Sequence, residues 1–170
     1  MQKLLRNEVV CALAEMQPYV KRVFNFKYNP STCRVIVRTT GRCSYGGLET
    51  HSTKKIPYFN LTFVDLLSYK DDDVSTYCEY EDLAHDSVIG DIDCDWRTWV
   101  RALVAHELAH AIDHACCYTT PTHARKPIRM QDAIANSTHG QRWQHIYRLL
   151  RRQFVNNRLN NSGTLSKQLR

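Results

Sequence analysis

Hydrophobic and polar positions divide this chain into an N-terminal helical stretch, a β-like middle and two further helices. Between residues 3 and 17, Leu4, Leu5, Val9, Ala12, Leu13 and Met16 recur every three or four positions, which predicts an amphipathic helix ending before Pro18. Residues 33–39 (CRVIVRT) and 56–63 (IPYFNLTF) are rich in β-branched and aromatic side chains, with Gly41, Gly46 and Gly47 between them, so two strands joined by a long turn are expected. Pro57 has no N–H to donate, which suggests that the second strand starts near a sheet edge. A long helix is predicted over residues 96–117, where Trp99, Val100, Leu103, Val104, Leu108, Ala111 and Ile112 form a wide apolar stripe and Asp95 suits the N-cap. The last helix is expected from Thr138, whose spacing to Gln141 is that of a capping box. Trp143, Ile146, Tyr147, Leu150 and Phe154 supply its apolar face.

The segments between these elements lack a period. Residues 68–95 read as an excursion over the surface, 118–136 as a long connection and 158–170 as a polar basic tail. The DIDCD run from Asp91 to Asp95 is not a calcium loop, because Trp96 stands where glycine is needed and Ala102 where the final glutamate is needed. The expected organisation is one α+β domain over residues 1–157 with the tail behind it.

Composition agrees with that size: 170 residues, 43 % hydrophobic and 24 % charged, belong to an ordinary globular domain and exclude fibrous or wholly disordered classes. No apolar run reaches membrane-spanning length, and Arg6, Asn7 and Glu8 interrupt the first helix where a signal peptide would be apolar; the expected location is cytoplasmic, without a membrane partner. Seven cysteines without any CxxC fit reduced thiols and exclude zinc ribbons and thioredoxin-type motifs.

Charge is segregated along the chain. Residues 1–70 carry eleven Lys/Arg against four Asp/Glu, residues 71–95 carry ten Asp/Glu and no Lys/Arg, and residues 96–170 carry twelve Lys/Arg against three Asp/Glu. After Asp132 no acidic residue follows, while Arg142, Arg148, Arg151, Arg152, Arg158, Lys167 and Arg170 do. A basic C-terminal half of this kind suits DNA phosphates, and equally a solvated helix face.

The chemistry concentrates in His106-Glu107-Leu108-Ala109-His110, an H-E-x-x-H motif on the predicted long helix. Four residues advance a helix by about 400°, so both imidazoles project from one face and can reach one metal ion. Glu107 beside them is placed to take a proton from a water that the metal has acidified. A catalytic zinc takes a third protein ligand and keeps one position open. His139, opening the last helix with Gly140 beside it, is the expected third ligand; Asp132 is a carboxylate competitor. His114 lies too far along the same straight helix, and Cys116 has the metzincin spacing without the glycine turn, since position 112 is Ile. Asp113 is a candidate for orienting a ligand, and Tyr147, His145, His114 and Arg142 are candidates for a second electrophile, with nothing to choose among them.

At these residues the sequence resembles the SprT-like zinc metallopeptidase family. The likeness is densest at HELAH (106–110) and at HGQRW (139–143), where the family opens a helix with its third ligand. Upstream, Thr40-Gly41-Arg42-Cys43 and the strand IPYFNLTFVDLL look like the family's glycine-basic-cysteine turn and the strand ahead of the active helix. The resemblance implies a minimal zincin-like domain in which a small antiparallel sheet packs on the HExxH helix and a closing helix. It also implies a Zn²⁺ peptidase, in some members acting on proteins crosslinked to DNA, with His106, His110 and His139 as ligands and Glu107 as general base. The 29 residues from His110 to His139 exceed the family's usual gap, and the acidic stretch 71–95 looks like an insertion able to cover the cleft. An extended protein substrate is expected to pair with an edge strand near 56–63. A non-catalytic zinc-stabilised module that binds DNA or protein is the alternative, and a zinc amidase acting on a non-protein substrate is a third reading; a structural site has no use for Glu107 and closes its fourth position with protein.

Overall fold

Leu5, Val9, Ala12, Leu13, Met16 and Val20 line the buried face of the first helix, α1 (Gln2–Phe24). The structure, a computed structural model, describes residues 2–38, 40, 44–51, 54–62, 74–118 and 139–157. The helix does not end at Pro18 as the sequence predicts; it runs through it to Phe24. An interior proline costs about 3 kcal/mol in helix stability. Buried Val20 and the edge-on contacts of Tyr19 with Phe24 and Phe154 offset that cost, and the Tyr28 hydroxyl donates to the nearby Leu13 carbonyl at 2.7 Å.

A 3₁₀ turn (Pro30–Thr32) leads into a three-stranded sheet of β1 (Arg34–Arg38), β2 (Tyr45–His51) and β3 (Lys54–Thr62), ordered β1-β3-β2. Two expectations are corrected here. The segment between the predicted strands contains a strand of its own, β2, and the sheet is mixed: β3 runs antiparallel to β2, with Gly46 opposite Phe59, and parallel to β1, with Val35 opposite Phe59. The chain crosses from β1 to the far edge before returning through the middle, so β1 and β3 point the same way. β3 is therefore central, and the edge expected near 56–63 belongs to β2 and β1. Pro57 is tolerated because β1 joins only from Tyr58 onward, leaving β3 with one neighbour at the residue that lacks an N–H.

The acidic stretch is also more than a surface excursion. Its described part forms a second sheet of two short antiparallel strands, β4 (Ser75–Tyr77) and β5 (Ile92–Cys94), joined by turns that bury Leu83 and Ile89. Three-residue strands are too short to show a period. Aspartates hold this hairpin together: Asp93 accepts the Thr76 hydroxyl, Asp91 accepts the Glu79 N–H at 2.7 Å, and Asp86 accepts the N–H groups of Val88 and Ile89.

Asp95 caps the next helix as expected, its carboxylate accepting the Thr98 N–H at 2.9 Å. That helix, α2 (Trp96–Tyr118), is buried on every side from Val100 to Ile112, so its predicted stripe is the full circumference. It is packed by α1, by β2 and β3, and by the last helix, α3 (Gln141–Arg151), which continues into a π turn (Arg152–Asn156). Arg101 of α2, almost fully buried, is paired with Glu8 and Glu15 of α1. α3 starts at Gln141 with Gly140 as N-cap, later than the start expected at Thr138, and the expected capping residue Thr138 lies outside the described residues. The connection 119–136, the Gly41-Arg42-Cys43 turn and the tail 158–170 also lie outside them. The architecture is α+β, Cys11, Cys33, Cys78 and Cys94 are free thiols, and among the described residues no helix is long and apolar enough to cross a membrane.

The turn between β4 and β5 has a testable pH signature. Burial alone would raise the Asp86 carboxyl, but the N–H groups of Ile89 and Val88 and the Arg148 guanidinium bring it down to about 2 from 3.8. A depressed carboxylate contributes stability that is present above the unfolded value and lost as pH falls toward the folded one. Urea unfolding of the wild type beside Asp86→Asn should show a stability gap at pH 6 that narrows from about pH 4 downward. A gap independent of pH would remove the carboxylate from this role.

Candidate metal centre

His106 and His110 stand one turn apart on α2, at 5 % and 7 % exposure, with ring centroids 5.2 Å apart. His139 immediately precedes Gly140, the N-cap of α3, and its carbonyl accepts the Gln144 side-chain amide at 3.0 Å. This places His139 against the other two: one ligand atom from each ring lies within 4.8 Å of the others, and the Nε2 atoms of His106 and His139 are 3.3 Å apart. Trp143, one turn further along α3 and wholly buried, is the floor of the cluster, with ring centroids 4.7, 5.1 and 4.5 Å from His106, His110 and His139. The H-G-x-x-W spacing thus puts His139 just ahead of the helix and Trp143 in its first turn, packed against the histidine.

Burial, followed by the neighbouring His106, lowers His110 to about 3 and His139 to about 4. Both rings are neutral near pH 7. Three imidazoles with converging nitrogens are the donor set of a borderline transition ion such as zinc, held by three protein ligands. The residues present therefore fit the ion that the sequence implies.

Glu107 points to the sheet side of α2. Burial pushes its carboxyl up to about 7, with the His106 charge and the Gly46 N–H acting the other way. Among the described residues its Oε2 has no hydrogen-bond partner. Gly46 makes this contact geometrically necessary: a Cβ there would lie 2.5 Å from the Glu107 carbonyl oxygen and 2.8 Å from its Cβ. The glycine that reads as turn punctuation is the point where β2 closes on the motif helix.

The site also holds residues that the sequence did not point to. Glu79, just past β4, has a carboxylate 3.3 Å from Nδ1 of His106 and accepts the hydroxyl of Tyr147. Burial works against its ionised form, yet His106, Tyr147 and Tyr77 hold its carboxyl below the ordinary range. Arg151, with no exposed surface, donates to the Tyr147 hydroxyl at 3.3 Å and to the Gly90 carbonyl at 2.8 Å, and lies over the rings of Tyr77 and Tyr147. Tyr80 is half-exposed, its ring centroid 4.3 Å from that of His139. Trp143, Tyr147 and Arg151 recur every four residues, so an arginine on the apolar stripe of α3 was the one available signal. Glu79 had none, lying 27 residues before His106 in a stretch without a period.

The remaining candidates fall elsewhere. Asp113 pairs with Arg142 rather than with a ligand ring. Tyr147 is buried and engaged with Glu79, and His145 is exposed on α3, so neither is presented as an electrophile; His114 is exposed, its ring centroid 6.5 Å from that of His110. Asp132 and the side chain of Cys116 lie outside the described residues. Comparison of the chain with protein-family models, with curated proteins and with solved structures finds no match in any of the three.

The contact at Gly46 can be tested on stability alone. Gly46→Ala overpacks β2 against α2 and should cost about 1–3 kcal/mol, read by thermal or urea unfolding. Wild-type stability would mean that β2 moves freely from Glu107.

Proposed function

We propose that this chain is a zinc metallopeptidase of SprT-like type with a zincin-like fold, hydrolysing peptide bonds in protein substrates. The observation that carries the reading is the pairing of two features on one buried helix: three convergent imidazoles, and beside them Glu107, a carboxyl near neutrality with one oxygen unpartnered among the described residues. His106, His110 and His139 would hold the ion. Zinc, when bound there, polarises the scissile carbonyl and acidifies the attacking water. Glu107 would take a proton from the attacking water and return it to the leaving amine, while the Gly46 N–H holds its carboxylate in place. A general base works best with a pKa close to the operating pH, the condition that burial creates for Glu107.

The edge strand β2 passes this carboxyl at Gly46, so an extended peptide added to β2 would run past the site. Main-chain pairing gives affinity without sequence preference. A structural zinc site would close its fourth position with protein and leave Glu107 without a task; this weighs against the non-catalytic module. Proteins bound to DNA are the proposed substrate class, following the family resemblance. Of the basic residues at the C-terminal end, Arg151 is buried and Arg142 and Arg148 are paired with Asp113 and Asp86, so phosphate contact falls to exposed Arg152 and to Arg158, Lys167 and Arg170, outside the described residues.

The test is cleavage of a basic DNA-binding protein, with and without single-stranded DNA, by wild type beside Glu107→Gln, both shown to hold equal zinc. The variant should cleave at least about 100-fold more slowly. Equal rates would exclude Glu107 as the base, and a zinc-loaded wild type that cuts nothing would leave the binding-module reading.

A further inference from the structure

His106 is the end of a buried chain of polar side chains that runs from Glu79 of the acidic hairpin along the buried face of α3 and back to the hairpin at Gly90. Its Nδ1 faces Glu79 at 3.3 Å, Glu79 accepts the Tyr147 hydroxyl, and Tyr147 Oη lies 3.3 Å from Nη1 of Arg151, whose other terminal nitrogen is fixed on the Gly90 carbonyl at 2.8 Å. The Glu79 side chain is 1 % exposed and Arg151 fully buried. An isolated charge at either place would carry a desolvation cost of several kcal/mol. Here a carboxylate and a guanidinium share the interior, linked by tyrosine hydroxyls. The hairpin that carries Glu79 is itself fixed by Asp91, which binds the Glu79 N–H at 2.7 Å.

We propose that Glu79 is the positioning residue of the metal centre, and that the Arg151–Tyr147–Glu79 chain sets the orientation, tautomer and donor strength of His106 toward zinc. A carboxylate beside Nδ1 selects the ring form with its proton on Nδ1, which leaves the Nε2 lone pair turned toward His110 and His139. The negative charge of Glu79 raises the basicity of that ligand atom. Glu79 is not a ligand itself: its carboxylate lies on the opposite edge of the His106 ring from the cluster. The acidic segment thus has a specific function in the site, supplying the acceptor that orients a ligand. This inference rests on the metal-binding part of the proposed function and not on peptidase activity.

The experiment measures zinc affinity by chelator competition, and the visible spectrum of the cobalt(II) form, for wild type, Glu79→Gln, Glu79→Asp and Tyr147→Phe, with unfolding of each apo protein as the control on folding. Glu79→Gln should weaken zinc binding 10- to 100-fold and shift the cobalt bands while keeping the apo fold. Glu79→Asp should recover part of the affinity, and Tyr147→Phe, which removes the link to Arg151 and leaves Glu79 in place, should lose several-fold. If Glu79→Gln does not fold, Tyr147→Phe decides. Wild-type affinity and an unshifted cobalt spectrum in the folded variants overturn the proposal while leaving the metal site standing. A wild type that binds no zinc overturns both, and one that binds zinc with the expected variant effects but cleaves no protein overturns only the peptidase reading.

Discussion

Everything in this molecule is arranged around the cost of keeping ionisable side chains inside. His106, Glu107 and His110 on α2 and Glu79 beside them sit where an apolar core would be cheaper. Two of the four are accommodated by giving up charge: His110 is driven to its neutral form, and Glu107 toward protonation near pH 7. Glu79 keeps its charge because it faces His106, Tyr147 and Tyr77, with Arg151 behind them. The burial of α2 from Val100 to Ile112 follows from the same requirement. A solvated helix face would screen these groups and leave the imidazoles free to take up protons, whereas a dry one keeps their lone pairs available.

The opposed charge blocks of the sequence acquire a different meaning in this light. Ten acidic residues between 71 and 95 and an almost wholly basic stretch after them suggest a cover and a polyanion surface. In the fold several of them meet one another. Asp86 pairs with Arg148, and Arg151 is drawn into the interior by the tyrosines around Glu79. Glu8 and Glu15 hold Arg101 across the α1–α2 contact in the same way. Segregation along the chain becomes neutralisation in space, and the basic surface left for an external partner is smaller than the sequence count suggests.

What was legible followed from period and spacing. The HExxH face, the Asp95 cap and the buried stripe of α3 depend on contacts within a turn or two, and the third histidine of the cluster was readable because His139 and Trp143 are only four residues apart. Pro18 was misread because local rules give the cost of a proline and not the packing that makes it tolerable, whereas Pro57 does stand where β3 has a single neighbour; what local rules missed there is that β3 then becomes central. β2 was missed for a similar reason: Gly46 and Gly47 weaken a strand signal, and only the approach of β2 to Glu107 explains the first of them. Glu79 was out of reach, since its role exists only once β4, α2 and α3 are assembled.

That assembly bears on how folding and the metal site are linked. His106 and His110 are organised by their own helix, but His139 arrives from the far end of 28 intervening residues, and its helix α3 has a glycine as N-cap. An ion shared by the three rings, as proposed above, would join α2 to the start of α3 and close that long loop, the kind of link that gains most by removing freedom from the unfolded chain. The protein itself contributes what would keep these rings ready: Trp143 packed against all three, and the Glu79 carboxylate facing Nδ1 of His106. The more complete that preparation, the less ordering binding has to drive. An ion free at a hundred times its dissociation constant then adds about 2.7 kcal/mol to the folded state. With such an ion, metal affinity and fold stability would be one free energy, apportioned between α2, the hairpin and α3.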